Sequence, residues 1–200
     1  MGPRNFILVF FTVLLLTGCS ALPNKTTHYY VITPIEQSAQ LKTNRALSIN
    51  IASVHVPPYL DKPSIVSRSK LNTLIIANNH RWGGKLRKSL ARIMAQNLST
   101  LLVTPNVAIA PNSVPVSPDV VIEISILQFE RNKDKRVQLS AQWRIVKGKD
   151  FSPLLARMTH LIGEEIKDTE NYDMTIASMS ELYAQLSEEI AIHIIKELKL

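Results

Sequence analysis

Five histidines and one cysteine are the side chains of this 200-residue chain best suited to metal binding or nucleophilic chemistry. The histidines stand at positions 28, 55, 80, 160 and 193, and no two have the separation of about three to five residues that is typical of paired zinc ligands. The sequence has no GxSxG or HExxH motif and no phosphate-binding glycine loop. Glu164-Glu165 is more typical of a solvated turn than of an acid/base pair. The pattern predicts a protein without a metal, a cofactor or enzymatic activity.

The single cysteine, Cys19, follows an apolar segment that covers residues 6–17. Arg4 precedes that segment and small residues follow it, which is the order of a secretory signal. A helix of this length rises about 18 Å, well short of the roughly 30 Å hydrocarbon core of a bilayer. We therefore expect residues 1–18 to be a signal peptide that is removed on export, rather than a permanent membrane span.

The last residues of that signal, Leu16-Thr17-Gly18-Cys19, resemble the lipobox of bacterial lipoproteins. The resemblance implies that the thiol accepts a diacylglycerol, that cleavage frees the amine of Cys19, and that this amine is acylated. N-acyl and S-diacylglycerol groups on Cys19 are then the only non-protein groups expected. Two or three acyl chains anchor a protein durably, whereas one binds reversibly. Ser20 is not the aspartate that resembles an inner-membrane retention signal, so the outer membrane is favoured, with the protein on its periplasmic face.

The charge of the mature chain is positive. Loss of Arg4 with the signal leaves 22 of the 23 basic residues against 16 acidic ones, a net charge of +6. An exported protein meets anionic lipid headgroups and acidic partners rather than nucleic acid. We therefore expect a membrane contact through the lipid anchor and no nucleic-acid binding.

The domain organisation is simple. Residues 19–27 combine Pro, Asn, Ser and Thr, which indicates a lipidated flexible tether, and residues 28–200 form one domain. At about 3.5 Å per residue, the tether keeps Tyr29 within roughly 35 Å of the membrane surface. The domain cannot reach a distant membrane alone.

Apolar periodicity predicts the elements of that domain. Alternation with period two predicts strands, and spacings of three to five residues predict two amphipathic helices, the first regular from Lys85 and ending at Leu102. The predicted strands cover residues 28–32, 47–56, 64–68, 71–77, 107–110, 120–127, 137–145 and 154–162, and the second helix carries its apolar stripe from Met179 to Ile194. Hairpins with two separate helices indicate an α+β domain, with an antiparallel or mixed sheet packed against both helices.

A proline-rich loop, Val56-Pro57-Pro58-Tyr59-Leu60-Asp61-Lys62-Pro63, interrupts this pattern. Its three prolines stiffen a segment that is expected to present Tyr59 and Leu60 beside Asp61 and Lys62. An exposed tyrosine is a common interface anchor. The alternative is a rigid connector in which Tyr59 packs inward, and both interpretations predict an ordered loop.

The loop also carries a family resemblance. Four segments of the chain together resemble the PqiC (YmbA) family of transport-auxiliary lipoproteins. They are VPPYLDKPSIV, the pair Arg81-Trp82, residues 95–99 (AQNLS) and Tyr29-Tyr30. The chain departs from the family at Gly83-Gly84-Lys85, where members often carry an acidic residue and a proline.

The resemblance implies a non-enzymatic outer-membrane lipoprotein of an MCE-type (Pqi-like) system that moves lipid between the two membranes and supports envelope integrity. The implied partners are a periplasm-spanning MCE-domain protein and its inner-membrane subunit. The candidate partner-binding residues are Tyr59, Leu60, Asp61, Arg81 and Trp82.

Several alternatives stay open at this point. The domain could itself carry lipid in an apolar pocket between sheet and helices, or serve as an envelope-assembly accessory lipoprotein. Trp82 could be a core aromatic residue. The number of subunits is not fixed by the sequence, and a homo-oligomer is among the arrangements considered. The basic residues Lys85, Arg87, Lys88 and Arg92 are expected to form a solvated face, with contact to acidic lipid or to an acidic partner as the alternative.

Overall fold

A computed structural model describes residues 26–36, 40, 41, 43–111 and 117–200. Residues 1–18, Cys19 and the tether as far as residue 25 lie outside the described residues. The described elements, in chain order, are β1 (His28–Tyr30), β2 (Ile49–His55), β3 (Ser64–Lys70), β4 (Thr73–Trp82), α1 (Leu86–Leu101), β5 (Val107–Ile109), β6 (Val120–Arg131), β7 (Arg136–Lys147), β8 (Pro153–Glu165) and α2 (Tyr172–Leu198).

The strands form one mixed sheet that branches at β6. Along one edge, β7 pairs with β6 antiparallel over its whole length, and β8 pairs antiparallel with β7. Along the other edge, β2 runs parallel to the first half of β6, while β3 meets β6 at Ser67 and Arg131. β5 extends the β2 branch, and β4 and β1 extend the β3 branch.

Both helices cover one face of this sheet, as the α+β prediction requires. The alternation in β6 and β7 turns Ile122, Ile124, Leu139 and Ile145 toward the helices, where they are buried. The two helices are joined by side chains: the Tyr183 hydroxyl donates to the Leu90 carbonyl at 3.0 Å, and Asn97 Nδ2 donates to Ser187 Oγ at 2.9 Å. The opposite face of β6 and β7 is largely polar, which is typical of an antiparallel sheet with one solvated face.

The predicted hairpin at residues 64–77 is present, but its turn lies two residues later than expected. Lys70 pairs with Thr73, so the turn consists of Leu71-Asn72, and β4 continues through polar residues to Trp82. β-propensity located the strands but did not set their register, because register depends on the partner strand and on the turn. The first helix, α1, begins at Leu86 with Lys85 as its N-cap, in agreement with the predicted regular start at Lys85.

A buried carboxylate closes the branch point of the sheet. Glu130 lies one residue after Phe129, whose ring contacts Tyr183 of α2, so its side chain points to the face away from the helices. That carboxylate is 0% exposed. It accepts hydrogen bonds from Arg68 Nε at 2.9 Å, from the Tyr59 hydroxyl at 3.0 Å and from Gln128 Nε2 at 3.2 Å. Glu130 thereby ties β6 to β3 and to the proline-rich loop.

We predict that Glu130→Ala lowers the free energy of unfolding by about 3 kcal/mol, because it leaves buried donors without an acceptor beside a new cavity. Urea unfolding followed by circular dichroism measures this change. The matched control is Glu123→Ala on the same strand, which removes an exposed ion pair with Arg144 and should cost less than about 1 kcal/mol. Equal losses in the two variants would contradict a structural role for Glu130.

Candidate functional site

The proline-rich loop of residues 56–63 is held in a tight turn that decides which of its side chains reach solvent. The backbone N–H groups of Leu60 and Asp61 both donate to the Pro57 carbonyl, at 2.9 and 3.0 Å. This turn directs Leu60 into the hydrophobic core, where it is 2% exposed, and leaves Asp61 on the surface. Leu60 is therefore a core residue, and the expectation that the loop presents it to a partner is wrong.

Tyr59 is also turned inward. Its hydroxyl donates to Glu130, and the Arg68 guanidinium lies 5.9 Å from its ring centre. Burial, together with the neighbouring Glu130 carboxylate, raises the pKa of Tyr59 to about 12, so the hydroxyl remains a proton donor at physiological pH. The half-buried ring anchors the loop, which agrees with the rigid-connector interpretation rather than with an exposed interface anchor.

Trp82 connects this loop to two strands. The backbone N–H of Trp82 donates to the Pro63 carbonyl at 2.7 Å, and the backbone N–H of Gly83 donates to the Tyr30 carbonyl at 2.8 Å. The indole is 7% exposed, so Trp82 is the core aromatic residue considered as an alternative above. Arg81, by contrast, is exposed on β4 next to Tyr29 of β1.

These elements border an open cleft of about 470 Å³ at the end of the β3–β4 hairpin that lies opposite its turn. We call it the basic cleft. Its lining residues are Tyr29, Asp61, Lys62, Pro63, Trp82, Gly83, Gly84, Lys85 and Arg87. Two of the five candidate residues, Asp61 and Trp82, thus meet in one cleft. Arg81, Tyr59 and Leu60 are not among its lining residues.

The cleft is positively charged. Lys62, Lys85 and Arg87 outnumber Asp61, and α1 begins here without a side-chain cap or an acidic residue in its first turn. The free N–H groups of a helix start carry a partial positive charge, which adds to that of the lysines and the arginine. The arrangement suits an acidic ligand surface.

The walls of the cleft also explain why it is open. A Cβ at Gly84 would have Ser89 Oγ at 3.9 Å as its nearest neighbour, so Gly84 leaves space that a larger residue would fill. In the sequence, Gly83-Gly84 departs from the family pattern, and Lys85 and Arg87 are expected to belong to a solvated face. The signal for a site lay in their meeting with Lys62, which is distant in sequence.

The histidines either make ring and side-chain contacts or lie on the surface. His28 stacks on His80 with ring centres 5.5 Å apart. His80 stacks on Tyr172 with ring centres 3.8 Å apart and accepts from or donates to the Tyr30 hydroxyl at 2.8 Å, and burial lowers its pKa. His193 lies 2.8 Å from the Arg157 guanidinium, and His55 and His160 are exposed. Within the described residues, no group of three or more His, Cys, Asp or Glu side chains is placed to hold a metal ion.

The region between the sheet and the helices is packed with side chains. Phe129, Trp143 and Tyr183 fill it, and each is less than 2% exposed. Trp143 Nε1 donates to Thr159, whose hydroxyl donates to Glu189 of α2, so the far side of this layer is closed by hydrogen bonds. This packing disfavours the alternative in which an acyl chain is carried between sheet and helices.

Comparisons with known proteins agree with this architecture. The chain is 27% identical over 188 residues to the intermembrane transport lipoprotein PqiC of Escherichia coli, which covers 92% of this chain and 94% of that protein. The Shigella flexneri protein of the same name matches equally well. A crystal structure of an uncharacterized protein superposes with a TM-score of 0.68 at 25% identity, covering 85% of this chain and 99% of that one. A protein from Xanthomonas campestris shares the fold, with a TM-score of 0.74 at 12% identity over 86% and 97% of the two chains.

Among the residues that the structure describes, no helix has the length and apolar character needed to cross a membrane.

The model of the family described as ABC-type transport auxiliary lipoprotein component matches residues 30–191, which include all the strands and helices except the first residues of β1 and the end of α2. The family resemblance found in the sequence is thus confirmed. The chain belongs to the ABC-type transport auxiliary lipoproteins and is similar to the intermembrane transport lipoprotein PqiC.

Proposed function

We propose that this chain is the outer-membrane lipoprotein subunit of an MCE-type system for lipid transport between the inner and outer membranes. In this role it supports envelope integrity by docking a periplasm-spanning MCE-domain partner that rises from its inner-membrane subunit. The observation that carries the proposal is the basic cleft, held rigid by buried contacts, on a chain of the transport auxiliary lipoprotein family.

The membrane attachment supports a docking role. Cys19 carries the lipid in this proposal, and Ser20 favours delivery to the outer membrane. The tether holds the domain within roughly 35 Å of its membrane. A transport path between two membranes therefore needs a second, longer protein, and this domain would bind its outer end.

The geometry of the cleft supports protein recognition. The proline-rich loop is fixed by Tyr59 and Leu60 before any partner arrives, so little conformational entropy is lost on docking. Lys62, Lys85 and Arg87 offer charge complementarity to an acidic segment of the partner. No catalytic step is part of the proposal, because the role is to bind and position.

We expect Cys19→Ser to release the protein from the membrane fraction, because no acyl chain can then be attached. Sucrose-gradient fractionation and labelling with radioactive palmitate measure this in cells. The unaltered protein should band with the outer membrane and carry the label. Outer-membrane recovery of Cys19→Ser, or a native protein that never takes up palmitate, would refute lipid anchoring; recovery of the native protein with the inner membrane would refute the outer-membrane assignment alone.

We also expect the double charge reversal Lys85→Glu, Arg87→Glu to weaken capture of the MCE-domain partner by about tenfold, because it removes the charge complementarity of the cleft. Crosslinking in intact cells followed by quantitative mass spectrometry measures the capture. The matched control reverses two exposed charges at the far end of α2, Lys196→Glu and Lys199→Glu, and should leave capture unchanged. A similar loss in both double variants would point to bulk charge and against the cleft.

A further inference from the structure

The turn of the β3–β4 hairpin carries an unusual set of exposed apolar side chains. Leu71 in the turn is 79% exposed, and Leu74, Ile75 and Ile76 on β4 are 36%, 49% and 50% exposed. We call these four residues the apolar tip. Exposed apolar residues that cluster in this way commonly mark a contact surface.

The apolar tip exposes such residues on both faces of the hairpin. Leu74 and Ile76 lie opposite Arg68 and Val66 of β3 on one face, while Ile75 lies opposite Ser67 on the other face. A second globular protein packed against a strand covers one of its faces. A medium that surrounds the tip, such as the interfacial region of a bilayer, covers both.

The direction in which the chain enters the domain points to the same surroundings. β1 runs parallel to β4, with His28 beside His80 and Tyr30 beside Trp82. The N-terminal end of β1 therefore lies toward the start of β4, and the chain arrives at His28 from the side on which the Leu71-Asn72 turn lies.

The chain between Cys19 and His28 has the same number of residues as the part of the hairpin between Leu71 and His80. Cys19 stands nine positions before His28, and Leu71 stands nine positions before His80. At about 3.3 Å per residue, each stretch spans about 30 Å when extended. A lipid on Cys19 can therefore lie at the level of the apolar tip.

The charge beside the tip is suited to lipid headgroups. Lys70 directly precedes Leu71 and is exposed, and the Arg68 guanidinium donates to the Leu71 carbonyl at 2.9 Å, which holds the turn in place. A lysine next to apolar side chains can keep its ammonium group at the phosphate level while its neighbours enter the interface.

We propose that the apolar tip inserts into the interfacial region of the phospholipid bilayer that anchors Cys19, as a second membrane contact of the domain. The inference rests on the lipid anchor proposed above. It also sets the orientation of the molecule: the basic cleft lies at the other end of β4, about 30 Å from the start of that strand, and faces away from the membrane.

A fluorescence experiment on the full, acylated chain tests the inference. Cys19 is the sole cysteine and its thiol is occupied by lipid, so a cysteine introduced by Leu71→Cys can be labelled alone with an environment-sensitive fluorophore. The protein is reconstituted into vesicles of phosphatidylethanolamine and phosphatidylglycerol that contain phosphatidylcholine with a shallow doxyl quencher. Met158→Cys is the matched control, because Met158 is also apolar and exposed, but on the middle of β8.

We expect the label at position 71 to shift to shorter wavelength and to lose most of its emission to the quencher lipid, while the label at position 158 changes little. Equal quenching at both positions would overturn the inference. A label at position 71 that is shielded but not quenched would also overturn it, because the tip would then be covered by protein, either a second copy or the tether. Vesicle flotation separates the two proposals: a chain that floats with an unquenched tip refutes the second contact alone, whereas a chain that does not float refutes the lipid anchor as well.

Discussion

The buried carboxylate of Glu130 is the interaction on which the arrangement of the candidate site depends. It is shared by Arg68 of β3 and Tyr59 of the proline-rich loop, so one side chain joins the central strand, the second branch of the sheet and the loop. Burial of a carboxylate costs free energy unless hydrogen-bond donors surround it. The junction is therefore stable only when Arg68 and Tyr59 both contact Glu130. With the junction formed, Leu60 fills the core and Asp61 is left at the surface. The position of the basic cleft follows from these contacts.

In the proposed arrangement, one end of the β3–β4 hairpin lies at the membrane and the other end meets the partner. Its turn carries the apolar tip, and the other end, at Pro63 and Trp82, borders the basic cleft. β1 adds to the hairpin at the cleft end, but the chain enters β1 from the side on which the turn lies. A rigid hairpin of about 30 Å would hold a docking surface at a defined height above the membrane. Such a spacer is what a short lipid tether needs if the domain is to meet a long partner.

Local patterns in the sequence were sufficient to locate the strands and helices, but not to set every strand end or the contacts between distant segments. Alternation located β6 and β7, and the apolar stripe located α2. The predicted end of β6 at residue 127 is too early, because a bulge between Ile126 and Gln128 interrupts the alternation there. Beyond the bulge, Glu130 has the residue type of a surface position, and its partner Arg68 is 62 residues away in sequence. The inward packing of Tyr59 and Leu60 depends on this pair, which is why sequence reasoning could not separate an exposed loop from a rigid connector. For the same reason, the meeting of Lys62 with Lys85 and Arg87 became visible only in the folded chain.

The proposed function requires that the basic cleft receive the outer end of a periplasm-spanning partner. Its most direct test places a photoreactive amino acid at Lys62, on the wall of the cleft, and irradiates intact cells that express the full lipoprotein. Mass spectrometry of the crosslinked product then identifies the neighbour and the residues joined. We predict that the neighbour is an MCE-domain protein, crosslinked through a segment rich in Asp and Glu. A product in which Lys62 is joined only to lipid, or only to another copy of this chain, would contradict it.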